Sequence, residues 1–385
     1  ASRLLETADA LGNRIAREYD RNSNPIRVTS IEVSPEGLVP TETFTTRYVF
    51  DQLDRLVRAT DNVGQTSRFS YDSRDNLVFR SDPQGPLTAD PFGLFPGQIN
   101  AAGNTCRYVF DGLDRMIRQV CDLRVGGTGS GAIDTSNPRN PDGQISLGYV
   151  FDKNSRLVGI VDDNGNRTSF GYDALDRRTS QTNADGESYV FTFDRDDNVR
   201  TVTDPNGSVV TKVYDALNRM VSCSVARAPG VLGTTNETYA YDGLSRLVRA
   251  TDDNGNAALA NQVVEYVFDS LGRTLEERQN GRVVSSRYTG DGKRTQVTYP
   301  GERTITRTFD AIDRIKQLRD GSTTLAATDW IGPGMRELRR LNGNGTKLTF
   351  LNDAENADLG YDTVQRITRL RVLPATPGVA IVDRE

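Results

Sequence analysis

Short runs of aromatic and β-branched residues, separated by polar turn residues, recur along the whole chain. Residues 46–64, TRYVFDQLDRLVRATDNVG, show one cycle of the pattern: an apolar run, a short polar loop, a second apolar run and a turn. Apolar runs of this length are typical of β-strands, and two of them joined by a short loop predict a β-hairpin. The pattern therefore predicts an all-β chain made of repeated hairpins.

Each hairpin carries a motif in which an aromatic residue is followed by Asp and, five positions after the aromatic residue, by Arg or Asn. The twelve aromatic-Asp pairs are Tyr19/Asp20, Phe50/Asp51, Tyr71/Asp72, Phe110/Asp111, Phe151/Asp152, Tyr172/Asp173, Phe193/Asp194, Tyr214/Asp215, Tyr241/Asp242, Phe268/Asp269, Phe309/Asp310 and Tyr361/Asp362. The residues that close the motif are Asn24, Arg55, Asn76, Arg115, Arg156, Arg177, Asn198, Arg219, Arg246, Arg273, Arg314 and Arg366. The copies from Phe151 to Tyr214 are 21 residues apart, and a period of this size indicates stacked supersecondary units.

Two further positions fit the period without the Asp. Steps of 20 and 21 residues from Phe268 reach Tyr288 and Phe309, and another 21 residues reach Trp330, the only tryptophan. We interpret Tyr288 and Trp330 as degenerate repeats. A lone Trp can also serve as a ligand platform, but its place in the period favours a packing role.

The two charged residues of the motif have structural roles that require no catalysis. The short Asp carboxylate can accept backbone N–H groups of the loop that it opens. The Arg that closes the loop can reach a carboxylate or a carbonyl oxygen of a neighbouring repeat with its planar set of donors. A second turn follows in each unit, as in TDPNG at 203–207, and its residues are typical of hairpin turns. We therefore predict a structural role for the motif and no catalytic residue.

The composition narrows the possible functions. The net charge of the chain is −5, and its 47 basic and 52 acidic residues are spread evenly along the sequence. This even distribution disfavours nucleic-acid binding. Histidine is absent, which removes His-based triads and His-zinc sites. No apolar run approaches the roughly 18 residues of a membrane-spanning helix. We predict a protein that is not an enzyme, with no cofactor, no metal, no nucleic-acid partner and no membrane span.

The placement of the cysteines suggests one disulfide. Cys106 and Cys121 lie on opposite arms of the hairpin that the Phe110 motif closes, and a four-residue loop at 112–115 places them directly opposite. Cross-strand Cα atoms about 4.5–5.5 Å apart are within disulfide range. We predict a disulfide and hence an oxidising compartment. A shift of one residue in register would separate the two cysteines.

Three other readings of the turns stay open. The DDNGN sequences at 162–166 and 252–256 place several oxygen atoms close together, and calcium prefers oxygen ligands. Adjacent acids such as Asp196 and Asp197 are the residue type of glycoside hydrolysis, although neighbours in a turn usually point apart. Exposed Tyr, Asn and Asp side chains could also form a carbohydrate-binding surface.

The twelve motifs resemble those of the YD-repeat, or RHS, family, and the likeness covers nearly the whole chain. The family includes bacterial polymorphic toxins, the cocoon proteins of insecticidal toxin complexes, and teneurin shells. Its repeats form a long β-sheet that spirals into a hollow shell, which in the toxins encloses a C-terminal effector. The resemblance implies a solenoid-like or hollow wall here, an extracellular or cell-surface location, and partners that are further YD repeats or other copies arranged head to tail. It also implies an encapsulated effector in a parent protein.

We predict one continuous array over residues 1–370, with loop insertions near 85–103 and 124–147. Residues 371–385 are predicted as a C-terminal tail or a connection between units. The leading hypothesis is a non-enzymatic extracellular structural protein, part of an encapsulating shell or of a self-associating fibre. The alternative is a cell-surface adhesion or carbohydrate-binding module.

Overall fold

The computed structural model describes residues 3–83, 87–90, 93, 97–100, 103–125, 131–138, 140–255, 260–362, 364–375 and 380–384. These residues form thirty-two β-strands and contain no α-helix, which confirms the all-β fold class. Within the same ranges, no helix long and apolar enough to cross a membrane is found.

The strands, in chain order, are β1 (Glu6–Ala8), β2 (Arg14–Tyr19), β3 (Pro25–Glu32), β4 (Glu42–Phe50), β5 (Leu56–Thr60), β6 (Thr66–Tyr71), β7 (Leu77–Ser81), β8 (Leu87–Ala89), β9 (Gln98–Asn100), β10 (Thr105–Phe110), β11 (Met116–Asp122), β12 (Gln144–Phe151), β13 (Leu157–Val161), β14 (Arg167–Tyr172), β15 (Arg178–Thr182), β16 (Ser188–Phe193), β17 (Val199–Thr203), β18 (Val209–Tyr214), β19 (Met220–Ala226), β20 (Asn236–Tyr241), β21 (Leu247–Asp252), β22 (Gln262–Phe268), β23 (Thr274–Gln279), β24 (Arg282–Tyr288), β25 (Arg294–Thr298), β26 (Thr304–Phe309), β27 (Ile315–Asp320), β28 (Thr323–Ile331), β29 (Arg336–Asn342), β30 (Lys347–Thr349), β31 (Leu370–Leu373) and β32 (Val382–Arg384).

The chain divides into two compact units. Unit 1 consists of the segments Ala1–Ser146 and Thr306–Glu385, and unit 2 consists of Leu147–Ile305. The prediction of a single array over 1–370 did not include this division. The boundaries fall inside strands β12 and β26, so the division does not coincide with a break in the repeat motif.

Unit 2 is a regular antiparallel array. Each strand from β13 to β24 pairs with the strands that precede and follow it in the chain. In every motif hairpin of the unit the register shifts at the aromatic residue, for example between Gly171 and Tyr172. Such a shift is a β-bulge, which adds one residue to one strand and increases the local twist.

The first segment of unit 1 follows the same rule with one interruption. Strands β1 to β7 pair in chain order, and β7 then pairs with β10. The intervening insertion contains a separate hairpin of β8 and β9. The predicted insertion near 85–103 contains this hairpin, and residues 84–86, 91–92, 94–96 and 101–102 lie outside the described ranges.

The buried apolar cluster of unit 1 joins its two chain segments. Val39 comes from the loop between β3 and β4, whereas Ile331, Leu338 and Leu351 come from the second segment. The second-segment residues are at most 1% exposed. Full burial of such side chains stabilises by about 1.5–3 kcal/mol each. This cluster holds the first repeats of the chain against the last ones.

Two predicted boundaries differ from the observed strands. The predicted insertion at 124–147 ends earlier, because β12 already begins at Gln144, and residues 126–130 and 139 lie outside the described ranges. In the predicted tail, β31 pairs with β30, and β32 pairs with β31. The sheet thus continues past residue 370, because Leu370–Leu373 and Val382–Arg384 form strands that the motif does not mark.

Candidate functional site

The motif folds into one loop geometry, which Asp51 illustrates. Its N–H donates to the Arg55 carbonyl at 2.9 Å, and the Asp54 N–H donates to the Asp51 carbonyl at 3.1 Å. Its Oδ1 accepts the N–H groups of Leu53 and Arg55 at 2.9 and 3.0 Å. This is a turn followed by a bulge, in which the Asp carboxylate satisfies loop donors that would otherwise lack partners.

The residue four positions after each motif aromatic has a positive φ. Asp54, for example, has φ 60°. The complete set is Ser23, Asp54, Asp75, Asp114, Ser155, Asp176, Asp197, Asn218, Ser245, Gly272, Asp313 and Gln365. Sequence reasoning missed this position, although Asp, Asn, Ser or Gly occupies it in every copy except the last. These residue types tolerate the left-handed conformation better than most or hydrogen-bond locally there.

The motif Arg connects one repeat to the next. Arg55 Nε donates to Asp51 Oδ2 at 2.8 Å within its own loop. Its Nη1 donates to the carbonyl of Asp72 at 2.9 Å and to Asp75 Oδ1 at 2.8 Å, both in the following repeat. The guanidinium carbon lies 5.0 Å from the centre of the Tyr71 ring, within cation-π range. One side chain thus makes ionic, hydrogen-bonding and ring contacts across the repeat boundary.

The same contacts recur through both units. Main-chain carbonyls of the next repeat accept from Arg156, Arg177, Arg219, Arg246, Arg273 and Arg314 over 2.6–3.4 Å. These guanidinium groups lie 4.6–5.5 Å from the next aromatic ring. Where Asn replaces Arg, its shorter amide still crosses the boundary, since Asn76 Nδ2 donates to Asp114 Oδ1 at 2.7 Å.

Each tyrosine of the motif also contacts the preceding repeat. The hydroxyl of Tyr71 donates to the Leu56 carbonyl at 3.0 Å, and that of Tyr172 donates to the Leu157 carbonyl at 2.8 Å. Tyr288 and Trp330 occupy the same position, with donors to Thr274 and Ile315 carbonyls at 2.9 and 3.0 Å. Sequence reasoning assigned packing to the Trp330 ring but missed these hydrogen bonds. We call the combined Arg, Asp and aromatic contacts the repeat ladder.

The ladder fixes the protonation state of its acids. The Arg55 side chain holds the pKa of Asp51 below its usual range; burial opposes this shift, and the loop N–H groups reinforce it. Asp215 and Asp242 have lowered pKa values, in each case chiefly because the motif Arg donates to the carboxylate. General acids in enzymes usually have raised pKa values. The ladder carboxylates are therefore ionised and occupied, as structural groups are.

Cys106 and Cys121 pair directly across the β10–β11 hairpin. Their Cα atoms are 4.0 Å apart, and the two sulfur atoms form a disulfide. The third cysteine, Cys223, is a buried free thiol.

The turn acids considered as calcium ligands are already engaged locally. Asp162 Oδ1 accepts the N–H groups of Asn164 and Asn166 at 3.0 and 2.8 Å, and its Oδ2 accepts the Asn166 amide at 2.9 Å. Within the described parts of the chain, no group of three or more Asp, Glu, Cys or His side chains is placed to hold a metal ion.

The antiparallel hairpins and the repeat ladder define an all-β repeat protein. The RHS Repeat family model matches residues 45–87, 151–188 and 193–226. These three segments match RHS repeats, as their motifs indicated. No curated protein matches the sequence.

Solved structures share the fold at low sequence identity. The crystal structure of TcdB2-TccC3-TEV is 14% identical, with 97% of this chain and 19% of that chain covered and a TM-score of 0.68. The Photorhabdus luminescens Tc holotoxin pore with a TccC3 mutation is 12% identical, with 97% and 19% covered and a TM-score of 0.64. This chain thus spans about a fifth of the length of the chains that it matches.

Proposed function

We propose that the chain is a non-enzymatic wall element, a YD-repeat sheet that forms part of an encapsulating shell or associates with further copies into a fibre. The repeat ladder is the observation that carries this proposal. In both units the motif Arg and the motif aromatic residue contact a neighbouring repeat, and the motif Asp is bound within its own loop. Residues used in this way build an extended wall and leave no motif side chain for turnover of a substrate.

Strand edges support association with more polypeptide. Among the described residues, β1 pairs only with β2, and β32 pairs only with β31. An unpaired edge presents N–H and C=O groups to which another strand can add. We propose that further YD repeats, or another copy arranged head to tail, complete these edges. In a parent protein, the resulting wall would surround an effector.

The disulfide supports a location outside the reducing cytoplasm. Disulfides persist in oxidising compartments, and the Cys106–Cys121 bridge lies in a regular hairpin of the array. We propose that the protein is exported and works outside the cell or on its surface.

Association can be tested on the 385-residue chain by light scattering over a concentration series and by negative-stain imaging. A matched chain truncated before Leu370 lacks β31 and β32, and circular dichroism checks that it still folds. The proposal expects assemblies or filaments of the full chain that the truncated chain does not form. Monodisperse monomers of both chains at high concentration, with equal stability, would refute it. Binding to a glycan array without association would favour the adhesion module instead.

A further inference from the structure

A pocket of about 300 Å³ lies where the two segments of unit 1 meet. Its walls include Glu42 and Phe44 of β4, and Asp358 and Tyr361 from the second segment. The pocket includes Tyr361 and Asp362 of the last YD motif, and its other lining residues lie outside the motifs. It combines carboxyl groups with aromatic rings.

A single guanidinium serves three carboxyl groups next to this pocket. Arg336 Nη2 donates to Glu32 Oε2 at 2.9 Å and also to Glu42 Oε2. The remaining Glu32 oxygen accepts the Gln365 amide at 2.8 Å. Asp358 Oδ2 is 3.8 Å from Arg336 Nη1, which is too far for a hydrogen bond. The two glutamates thus form hydrogen-bonded ion pairs with Arg336, whereas Asp358 interacts with this cation only at a longer distance.

Asp358 is the unusual member of the group. Its side chain is only 6% exposed. Its Oδ1 accepts the N–H groups of Gly360 and Tyr361 at 2.9 and 3.3 Å, whereas Oδ2 has no hydrogen-bond partner among the described residues. A buried carboxylate oxygen without a donor is costly, and proteins rarely keep one without a function.

The electrostatics at this position favour an additional positive charge. Burial raises the pKa of Asp358, and the nearby Glu42 carboxylate adds to the rise. A cation in the pocket would supply the donor that Oδ2 lacks and would offset the repulsion between the two carboxylates. An anion would face the same carboxylates and be repelled.

We propose that this pocket binds a primary alkylammonium group, with Asp358 and Glu42 as its carboxylate partners and Phe44 and Tyr361 around its alkyl chain. An ammonium group offers three donors on a flexible apolar stem, which suits one unpaired oxygen beside aromatic walls. A metal ion fits less well because the described residues provide no set of three ligand side chains here. The inference concerns binding at one pocket and holds whether or not copies of the chain associate.

The test is calorimetric titration of the full chain with n-butylammonium, with n-butanol as the neutral probe of the same shape. A second titration uses a terminally blocked Gly-Lys-Gly peptide, with the norleucine peptide as its control. Saturable binding of the free amine alone identifies a small amine as the ligand, and tighter binding of the lysine peptide identifies a polypeptide side chain. The neutral probes are expected not to bind. If neither cation binds saturably, the proposal is overturned.

Two variants separate the site from general effects of charge. Asp358→Asn keeps the shape and removes the charge, and is expected to weaken either cation at least about tenfold. Asp142→Asn, at an exposed turn acid elsewhere in unit 1, is expected to leave the affinity unchanged. Wild-type affinity is also expected to fall as the pH falls through the raised pKa of Asp358. Equal affinity of Asp358→Asn and wild type, with the variant folded, would contradict the assignment.

Discussion

The repeat ladder predicts that one motif substitution will have very different costs at two positions. Arg314 and Arg366 make the same contact within their own loops, from Nε to the motif Asp Oδ2, at 2.8 and 2.7 Å. Their surroundings differ. The Arg314 side chain is 4% exposed, and that of Arg366 is 67% exposed. Substitution of each by Ala therefore compares a buried and an exposed copy of one motif.

The magnitudes follow from the groups that each substitution leaves behind. Arg314→Ala leaves the Asp310 carboxylate, which is 11% exposed, without its ion pair. It also removes the donor to the Gly332 and Gly334 carbonyls, at 2.6 and 2.9 Å. Loss of one partner from a buried pair costs about 3–5 kcal/mol. Arg366→Ala leaves a carboxylate that water can reach, and exposed pairs are worth about 0–1 kcal/mol.

The fluorescence of Trp330 reports unfolding of the region around Arg314. Trp330 is the only tryptophan, and the Arg314 guanidinium carbon lies 5.5 Å from its ring centre. Urea unfolding followed by Trp330 fluorescence should show a large fall in midpoint for Arg314→Ala and a small one for Arg366→Ala. Arg314→Lys should be intermediate, because Lys keeps the charge but lacks the planar set of donors. Equal shifts for the two Ala variants would refute the argument that burial and contacts to the next repeat set the cost.

Three other predictions test separate parts of the structure. Reduction of the Cys106–Cys121 disulfide should add about two mass units to the intact chain and should lower its free energy of unfolding by about 3 kcal/mol. An unchanged mass would exclude the disulfide. Gly272→Ala should lower the free energy of unfolding by about 1 kcal/mol because φ is 81° there, whereas Gly243→Ala, at a loop glycine without a positive φ, should be neutral or slightly stabilising. The reverse order would contradict the left-handed position. Asp358→Asn should stabilise the ligand-free chain by about 1 kcal/mol near neutral pH. This stabilisation should vanish as the pH falls through the raised pKa of Asp358, because the wild-type carboxyl then becomes neutral. Stabilisation that persists in acid would show that the charge of Asp358 is not its cause.

The hairpins were predictable because their signals are local. The Asp that opens a loop and the Arg that closes it are four residues apart, and their hydrogen bonds form within that span, as at Asp173 and Arg177. The direct opposition of Cys106 and Cys121 follows from loop length in the same way. The sequence alone could not give the hydroxyl contact of Tyr172 to the Leu157 carbonyl, because that contact depends on the register between adjacent hairpins.

The pocket beside Arg336 lay beyond sequence reasoning for a stronger reason. Its partners Glu32 and Arg336 are 304 residues apart, and neither belongs to a motif. The acids at 32, 42 and 358 are unremarkable in a chain with 52 acidic residues. Only the packing of the first and last repeats of unit 1 brings them together, and that packing rests on buried apolar residues such as Val39 and Ile331, which no repeat period marks.

The degenerate repeats show that the aromatic residue and the Asp of the motif have independent structural roles. After Tyr288 the motif Asp is replaced by Thr289. The Thr289 Oγ1 accepts the Lys293 N–H at 3.0 Å, a hydrogen bond that the Asp carboxylate accepts in the other loops. At Trp330 the next residue is Ile331, fully buried in the apolar cluster, yet the ring still lies beside Arg314 and donates to the Ile315 carbonyl. The ring is retained where the acid is not. Since the preceding Arg needs a ring and a carbonyl from the next repeat, whereas the Asp serves its own loop, the ladder can pass through a repeat that has lost its acid.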